Sequence, residues 1–426
     1  MSSFEVSEPI LNSPFQEPQS YWYICEGEPP VQKDGRRPSL IFPPRDQKEA
    51  WTEVPGIIRR SALYPAGFEL ELVNDLRERV KAWRQQGWPG ATRTTLELLQ
   101  YWRREGRDPR KRLFFAQLEA AETIIFLKEA RTDFLQGITV PRDEPGEQQH
   151  EGGYAGFERY ACKMATGGGK TTVMAMVAAW SILNKVSSRA DGRFSDVVLV
   201  VCPNVTIRSR LGELDPERGE ASLYRTRDLV PGNLMPQLRQ GRVLVTNWHK
   251  LQPQSPQTGG TSAKVTRTGK AVKTTETITI GAKTTTARGR RYLTLDDLQR
   301  QIAAGMIEVQ EEAHDKDGSL KTVKVSATRY VESDTALVER VLGREVGGKQ
   351  NVLVMNDEAH HAYRIIKERD EKEDDLFGED EEADEFFKEA TVWIDGLDKI
   401  HKLRGINFCV DLSATPYYLG RVGQET

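Results

Sequence analysis

The stretch MATGGGKTT, residues 164–172, decides the fold that this 426-residue chain is expected to adopt. It lies between a short apolar run, YACKM, and a long apolar helical stretch, TTVMAMVAAWSIL. Glycines let a backbone approach a phosphate, and a helix N-terminus attracts anions. The stretch therefore predicts a phosphate-binding loop, although Met164 stands where the strict pattern has its first glycine. A purely structural glycine-rich turn is the alternative.

The polar groups of this loop have distinct predicted roles. Lys170 is expected to contact the β- and γ-phosphates of ATP, and the Thr171 hydroxyl to bind Mg²⁺. The loop residues expected to contact the nucleotide are Thr166, Gly167, Gly168, Gly169, Lys170, Thr171 and Thr172.

Short apolar runs alternate with helical stretches from residue 160 onward. The runs are YACKM (160–164), VVLVVCP (197–203), VLVTNWH (243–249), NVLVMNDEAH (351–360) and INFCVDLSATP (406–416). Valine-rich runs without polar alternation are typical of strands buried on both faces. The pattern predicts an α/β fold, in which a parallel sheet is flanked by helices.

The sequence Asp-Glu-Ala-His at residues 357–360 ends one of these runs, and ligands of open parallel sheets bind at the carboxyl ends of the strands. Asp357 is expected to hold Mg²⁺ through water, Glu358 to orient and deprotonate the attacking water, and His360 to couple the γ-phosphate to the rest of the protein. The predicted catalytic set is Lys170, Asp357, Glu358 and His360. A solvated acidic turn is the alternative. A similar stretch at 311–314, Glu-Glu-Ala-His, has no convincing buried strand before it, and we interpret it as a coincidence.

The residues Ser413, Ala414 and Thr415 follow the last apolar run, where small hydroxyl side chains can report the nucleotide state to the carboxylates. The ordered set, from MATGGGKTT to DLSATP, resembles the first motor domain of superfamily 2 helicases. It is most similar to the helicase subunit of type III restriction enzymes, from about residue 112 to 426. The resemblance implies a RecA-like P-loop NTPase domain that uses ATP and Mg²⁺.

The resemblance also implies roles for residues outside these motifs. Gln117 takes the place of a glutamine that contacts adenine, although it could equally be a polar residue on an amphipathic helix. Asn204, Arg208, Thr246 and Asn247 take places where this superfamily contacts the nucleic-acid backbone. Trp248 could stack on a base or belong to the core.

Composition divides the chain into three regions. Residues 1–64, rich in proline and aromatics, predict an extended arm, and residues 65–140 predict a helical region. Residues 141–426 predict the motor domain with two insertions, at 253–292 (8 bases, 1 acid) and at 367–389 (13 acids, 4 bases). A basic segment can attract phosphate backbones, but a solvated loop is the simpler interpretation.

The charge, the apolar runs and the cysteines of the sequence together indicate a soluble, cytoplasmic protein. The net charge is −3, no apolar run could span a bilayer, and the four cysteines are widely scattered. Double-stranded DNA is the expected partner, together with a methyltransferase or specificity subunit and no membrane.

We therefore expect the ATP-binding first motor domain of a DNA-dependent ATPase or translocase, as the restriction subunit of a type III-like enzyme. One alternative is a DNA-repair or RNA-remodelling helicase without a nuclease, and another is a non-catalytic ATP-binding scaffold. Because only ten residues follow Pro416, we expect a fragment that lacks the second motor domain and the nuclease and hydrolyses ATP slowly.

Overall fold

A computed structural model describes residues 8–25, 28–42, 53, 55–64, 67–140, 142–254, 270–281, 291–303, 307–315, 318–343, 346–364 and 381–414. The chain divides into two compact units. The first comprises Met1–Leu251 with Arg344–Thr426, and the second comprises Gln252–Gly343. Thr415 lies outside the described residues.

The strands of the described residues are numbered in chain order. They are β1 Ser20–Tyr23, β2 Val31–Asp34, β3 Leu40–Ile41, β4 Ile58–Arg60, β5 Phe68–Leu70, β6 Arg142–Asp143, β7 Phe157–Lys163, β8 Val197–Cys202, β9 Arg242–Asn247, β10 Lys270–Ile280, β11 Arg291–Leu293, β12 Ile307–His314, β13 Leu320–Val331, β14 Val352–Asp357 and β15 Ile406–Ser413.

The α-helices are numbered in the same way. They are α1 Glu71–Gln85, α2 Arg93–Arg103, α3 Phe115–Glu129, α4 Thr132–Leu135, α5 Glu147–Glu151, α6 Lys170–Ser187, α7 Val205–Leu211, α8 Leu223–Thr226, α9 Met235–Leu238, α10 Leu295–Ala303, α11 Asp334–Leu342 and α12 Glu381–Arg404. None of the helices in the described part of the chain combines the length and the apolar character that crossing a bilayer requires.

The first unit is built on a six-stranded sheet with the order β6-β7-β15-β14-β8-β9. Every neighbouring pair is parallel except β6 with β7, which is antiparallel. All residues of β8 and β14 are buried, as the valine-rich sequences VVLVVC and VLVM predict, and the burial includes the polar Asn356 and Asp357 at the end of β14. β7 is only partly buried and ends at Lys163, one residue before the expected end of its run. The predicted α/β fold with a mainly parallel sheet is confirmed.

Helix α6 forms the centre of the core beside this sheet. Its residues from Thr172 to Asn184 are buried on every side, because α2 and α3 cover it from outside. The Trp180 ring lies 5.4 Å from that of Phe194 and 6.1 Å from that of Phe408, measured between centroids. The helix that follows the glycine-rich loop is therefore anchored along its whole length.

The N-terminal residues form two small sheets, β1-β2 and β3-β5-β4. The arm is attached to α3 at two points. Arg36 forms a bidentate ion pair with Glu119, and the carbonyl of Pro14 accepts a hydrogen bond from the Phe115 N–H at 2.8 Å. These contacts bring the arm to residues on both sides of Gln117.

The second unit has its own sheet, in the order β11-β10-β13-β12. Its small core consists of Ile278, Leu293, Leu298, Ile307, Val323 and Val325. In this part of the chain, the sequence interpretation placed an insertion at residues 253–292. The unit extends to Gly343, because β10 pairs with β13 over ten residues.

The second Glu-Ala-His stretch, residues 311–314, lies in this unit at the exposed end of β12. Strand β12 pairs antiparallel with β13, and Glu311 lies 3.5 Å from Lys324. An exposed antiparallel strand does not form the carboxyl edge of a parallel sheet, which agrees with the interpretation of this stretch as a coincidence.

Candidate nucleotide-binding site

The glycine-rich loop connects β7 to α6 and depends on glycine at three successive positions. Gly167 and Gly169 have φ angles of 80° and 85°, which side-chain-bearing residues rarely adopt. A Cβ atom on Gly168 would lie 2.9 Å from the Ala165 carbonyl oxygen. Gly169 also caps α6, and its carbonyl accepts the N–H groups of Thr172 and Val173 at 2.9 and 3.2 Å.

Gln117 lies directly against this loop. Its side chain is buried, its Nε2 donates to the Gly168 carbonyl at 3.1 Å, and its Oε1 accepts from the Phe114 N–H at 2.9 Å. A Cβ atom on Gly169 would lie 2.0 Å from Nε2. Both ends of the amide are therefore used to hold the loop to α3.

The carboxylate box begins at the last residue of β14. Asp357 is 2% exposed, and Glu358 follows with φ 51° and ψ 48°, in the left-handed region. A short 3-10 helix, Ala359–His361, comes next. A non-glycine residue in this conformation is uncommon, and such residues concentrate at functional sites. The turn directs the chain away from the sheet immediately after the two carboxylates.

The loop and the box meet through an ion pair between Lys170 Nζ and Glu358 Oε1. Burial, and next the neighbouring Glu358, raise the pKa of Asp357, while Lys170 and Arg210 act in the opposite direction. A buried carboxylate with a raised pKa is stabilised in its ionised form by an additional cation. The two carboxylates are therefore better suited to binding a divalent cation than to pairing with protein side chains alone.

Ser413 joins the box to the loop. Its hydroxyl lies 2.9 Å from His360 Nδ1, and its carbonyl accepts the N–H of Met164 at 2.9 Å. Burial, and next His361, lower the pKa of His360, so this ring is neutral at pH 7. Ala414, one residue further along, is half-buried.

The remaining loop residues differ in exposure. Thr166 is exposed, Thr171 is half-buried at the start of α6, and Thr172 is buried, with its N–H bonded to the Gly169 carbonyl. Within the described residues, no three His, Cys, Asp or Glu side chains form a group that could hold a metal ion. A Mg²⁺ ion that uses few protein ligands and several phosphate oxygens fits this arrangement.

The four predicted nucleic-acid contacts divide into two pairs. Asn204 caps α7, with Oδ1 accepting from the Ile207 N–H at 2.9 Å, and Arg208 is half-buried on the same helix. Thr246 and Asn247 are 3% and 7% exposed at the end of β9. Trp248 is also buried and stacks on His249. The four predicted contacts all lie at the carboxyl ends of β8 and β9, beside the box.

Sequence reasoning missed a polar layer beside the box, formed by Asp143, Arg159, Asn356, Arg364 and Asp411. A signal was present, because Asn356 and Asp411 interrupt apolar runs that are otherwise buried. Polar side chains in such strands require partners.

The family model described as type III restriction enzyme, res subunit, matches residues 110–417, which include the loop, the box and Ser413. A search of curated proteins and a search of solved structures each found no match. The matched region carries the helicase-like ATPase domain of this family, with a RecA-like P-loop fold. The chain therefore belongs to the family of type III restriction enzyme res subunits.

Proposed function

We propose that this chain binds ATP with Mg²⁺ and hydrolyses it as the first motor domain of a DNA-dependent translocase, within a type III-like restriction enzyme. The observation that carries the proposal is the contact of Lys170 with Glu358 beside the buried Asp357. A phosphate-binding lysine and two carboxylates thus meet at the carboxyl edge of a parallel sheet, where such sheets bind ligands.

Each residue has one role in the proposed reaction. Lys170 and the backbone of the loop hold the β- and γ-phosphates, while Thr171 and Asp357 hold the Mg²⁺ ion. When bound, the ion would supply positive charge that offsets the charge developing on the phosphates. When the phosphates bind Lys170, they replace Glu358 as its partner. Glu358 is then free to accept a proton from the attacking water. Gln117 contacts the adenine in this proposal, and its amide then exchanges one of its two present hydrogen bonds for one to the base.

The other predicted roles concern coupling and partners. Ser413, Ala414 and Thr415 transmit the nucleotide state, because Ser413 contacts both His360 and Met164. Asn204 and Arg208, which are exposed and half-buried, contact the backbone of double-stranded DNA, whereas Thr246 and Asn247 are too buried for the direct contact that the sequence predicted. A methyltransferase subunit supplies the DNA specificity. A DNA-repair or RNA-remodelling helicase is the second candidate, because contacts with the phosphate backbone do not read sequence.

Glu358→Gln tests the catalytic role of the box. We expect the variant to bind ATP with Mg²⁺ while its hydrolysis rate falls by roughly 10²–10⁴, because the amide cannot accept the proton of the attacking water. Binding is measured with a fluorescent ATP analogue, and hydrolysis by phosphate release.

Glu312→Gln is the matched control, since it makes the same change in the exposed look-alike stretch of β12. It should leave both readouts unchanged. Full hydrolysis by Glu358→Gln would show that Glu358 is not the catalytic base. ATP binding by the wild type without any hydrolysis, and with no effect of Glu358→Gln, would support a scaffold that keeps ATP as a structural ligand.

A further inference from the structure

A carboxylate that is only 14% exposed lies between the strand that enters the phosphate loop and the strand that ends in the box. Asp411 belongs to β15, which separates β7 from β14. Its Oδ2 accepts from Arg159 Nε of β7 at 2.7 Å, and its Oδ1 accepts from Asn356 Nδ2 of β14 at 2.7 Å. Asp411 therefore links three neighbouring strands through side chains, two residues before Ser413.

The guanidinium of Arg159 extends this link past the box. One Nη atom donates to Asp143 Oδ2 of β6 at 2.9 Å, and the other donates to the carbonyl of Ala362. Ala362 is the residue directly after the 3-10 helix of the box. The Arg159 side chain is only 7% exposed, so these contacts are largely shielded from water.

A second arginine holds the same segment from the other side. Arg364 Nε donates to Asp143 Oδ1 at 2.7 Å, and both of its Nη atoms donate to Asp398 of α12 at 2.9 Å. Helix α12 also reaches the residue before the box, since Trp393 Nε1 donates to Asn356 Oδ1 at 3.0 Å. The box is therefore held at Asn356 on one side and at Ala362 and Arg364 on the other.

We propose that Arg159 is a positioning residue that fixes the two carboxylates of the box for Mg²⁺ and water. The inference rests on the proposed function, which it extends to a residue outside the motifs. The left-handed conformation of Glu358 is strained, and it persists only where the surroundings hold the chain on both sides. Through Asp411 and Ala362, Arg159 connects the exit of the box to the strand that carries Ser413.

The geometry requires arginine in particular. Arg159 uses three nitrogen atoms in one plane to reach Asp411, Asp143 and Ala362. A lysine keeps the charge but concentrates it at one atom, so it loses the planar fork that spans these acceptors. Arg159→Lys therefore keeps a buried cation while it releases part of the constraint on the box.

The test compares Arg159→Lys with Arg103→Lys in the full chain. Arg103 on α2 also binds a buried carboxylate through two nitrogens, to Glu122 at 2.5 and 2.7 Å, but it has no contact with the box or the loop. The readouts are ATP affinity with Mg²⁺ and with EDTA, the hydrolysis rate kcat, and urea unfolding. A merely structural role would alter urea unfolding alone.

We expect Arg159→Lys to bind ATP in EDTA as the wild type does, because the phosphate loop is intact. The tightening of ATP binding by Mg²⁺ and the value of kcat should each fall by about 10–100-fold, as for other residues that orient metal ligands. Arg103→Lys should lower the stability of the chain but leave the Mg²⁺-dependent tightening of ATP binding and kcat unchanged. Equal behaviour of the two variants in Mg²⁺ tightening and kcat would overturn the proposal.

Asp411→Asn provides the second variant if Arg159→Lys does not fold. It keeps the shape of the side chain and removes the charge that attracts Arg159, so the same two readouts should fall in the same direction. Unchanged Mg²⁺ tightening and kcat in Asp411→Asn would overturn the inference. A wild-type chain with no Mg²⁺-dependent ATP binding and no hydrolysis would instead show that the proposed function itself is wrong.

Discussion

At the scale of single residues, the site depends on backbone conformations as much as on functional groups. Gly169 has φ 85° and ends the phosphate loop, while Glu358 has φ 51° and begins the turn of the box. Glycine adopts this region freely, but glutamate does so at a cost of about 1–2 kcal/mol. The strained backbone conformation of Glu358 brings its carboxylate to Lys170. In the loop, glycine adopts a positive φ without this strain.

Gly169→Ala should therefore weaken both the loop and its contact with Gln117. The new Cβ would meet Gln117 Nε2, which two hydrogen bonds hold in place, and the positive φ adds about 1–2 kcal/mol of strain. We expect lower ATP affinity and a lower free energy of unfolding, measured by nucleotide titration and urea denaturation.

Gly192→Ala is the control for this change, since a Cβ there meets no atom within 4 Å. It should leave ATP affinity as it is. Wild-type affinity in Gly169→Ala would show that the close approach of Gln117 to the loop is not needed for nucleotide binding.

At the scale of elements, the two ends of the sheet differ in what they present. Asn204 and Arg208 follow β8 and lie at its carboxyl end, on the side of the box. Arg189 lies in the segment between α6 and β8, which leads into the amino end of the same strand. A motor that contacts DNA near its nucleotide site needs basic groups at the carboxyl end.

Arg208→Ala should reduce the affinity for double-stranded DNA, because it removes one phosphate contact. The slope of log affinity against log salt should decrease in magnitude by about 1. Fluorescence anisotropy with a labelled duplex at several salt concentrations measures this slope, and Arg189→Ala, at an exposed position, is the control. A slope that is equal in the two variants would place the DNA elsewhere.

The C-terminal part of helix α12 contributes a pH-sensitive contact. His401 Nδ1 accepts the N–H of Ile406 at 2.9 Å, which requires an unprotonated nitrogen. Burial, and next Arg142, lower the pKa of His401 from its ordinary 6.5, although Asp398 and Glu144 oppose this. His401 therefore binds a proton more readily in the unfolded chain than in the folded one. The associated stability is complete above about pH 6.5 and is lost as the pH falls through the folded pKa.

His401→Asn should remove this part of the pH dependence. The Asn Oδ1 can replace Nδ1 as the acceptor but does not titrate, so stability should fall less between about pH 7 and pH 5 than in the wild type. Urea denaturation at a series of pH values measures the difference. Parallel curves for the two proteins would mean that His401 titrates alike in the folded and unfolded chains.

At the scale of the whole molecule, the chain consists of two units with separate cores. The described residues of the proposed nucleotide site all lie in the first unit, in Met1–Leu251 and Arg344–Thr426. The second unit, Gln252–Gly343, has its own sheet and its own apolar cluster. A unit with its own core can fold without the rest of the chain.

Replacement of residues 252–343 by a flexible Gly/Ser linker should therefore preserve nucleotide binding. We expect an ATP affinity within about twofold of the wild-type value, because no residue of the site is removed. Nucleotide titration measures the affinity, and circular dichroism confirms that the first unit is folded. Loss of binding by a folded variant would show that the second unit contributes to the site.

Much of the site could be predicted from local sequence, because its motifs are contiguous. The loop at 164–172 and the box at 357–360 each lie within a few residues of a strand end, and the apolar runs predict buried parallel strands. The contacts of Arg159 could not be predicted, since its partners Asp411 and Ala362 are more than 200 residues away in the chain. Such pairings depend on strand order and register.

The sequence by itself determined the parallel strands of the first unit, their order along the chain and the residue types of the proposed nucleotide site, because hydrophobic pattern and turn chemistry act over short distances. Only the tertiary structure decided that Lys170 meets Glu358, that Gln117 covers Gly169 and that Thr246 and Asn247 are buried. It also decided that residues 252–343 form a unit of their own, through the pairing of β10 with β13. The physical reason is that side-chain partners across a sheet are set by strand order and register, which the packing of the whole chain determines.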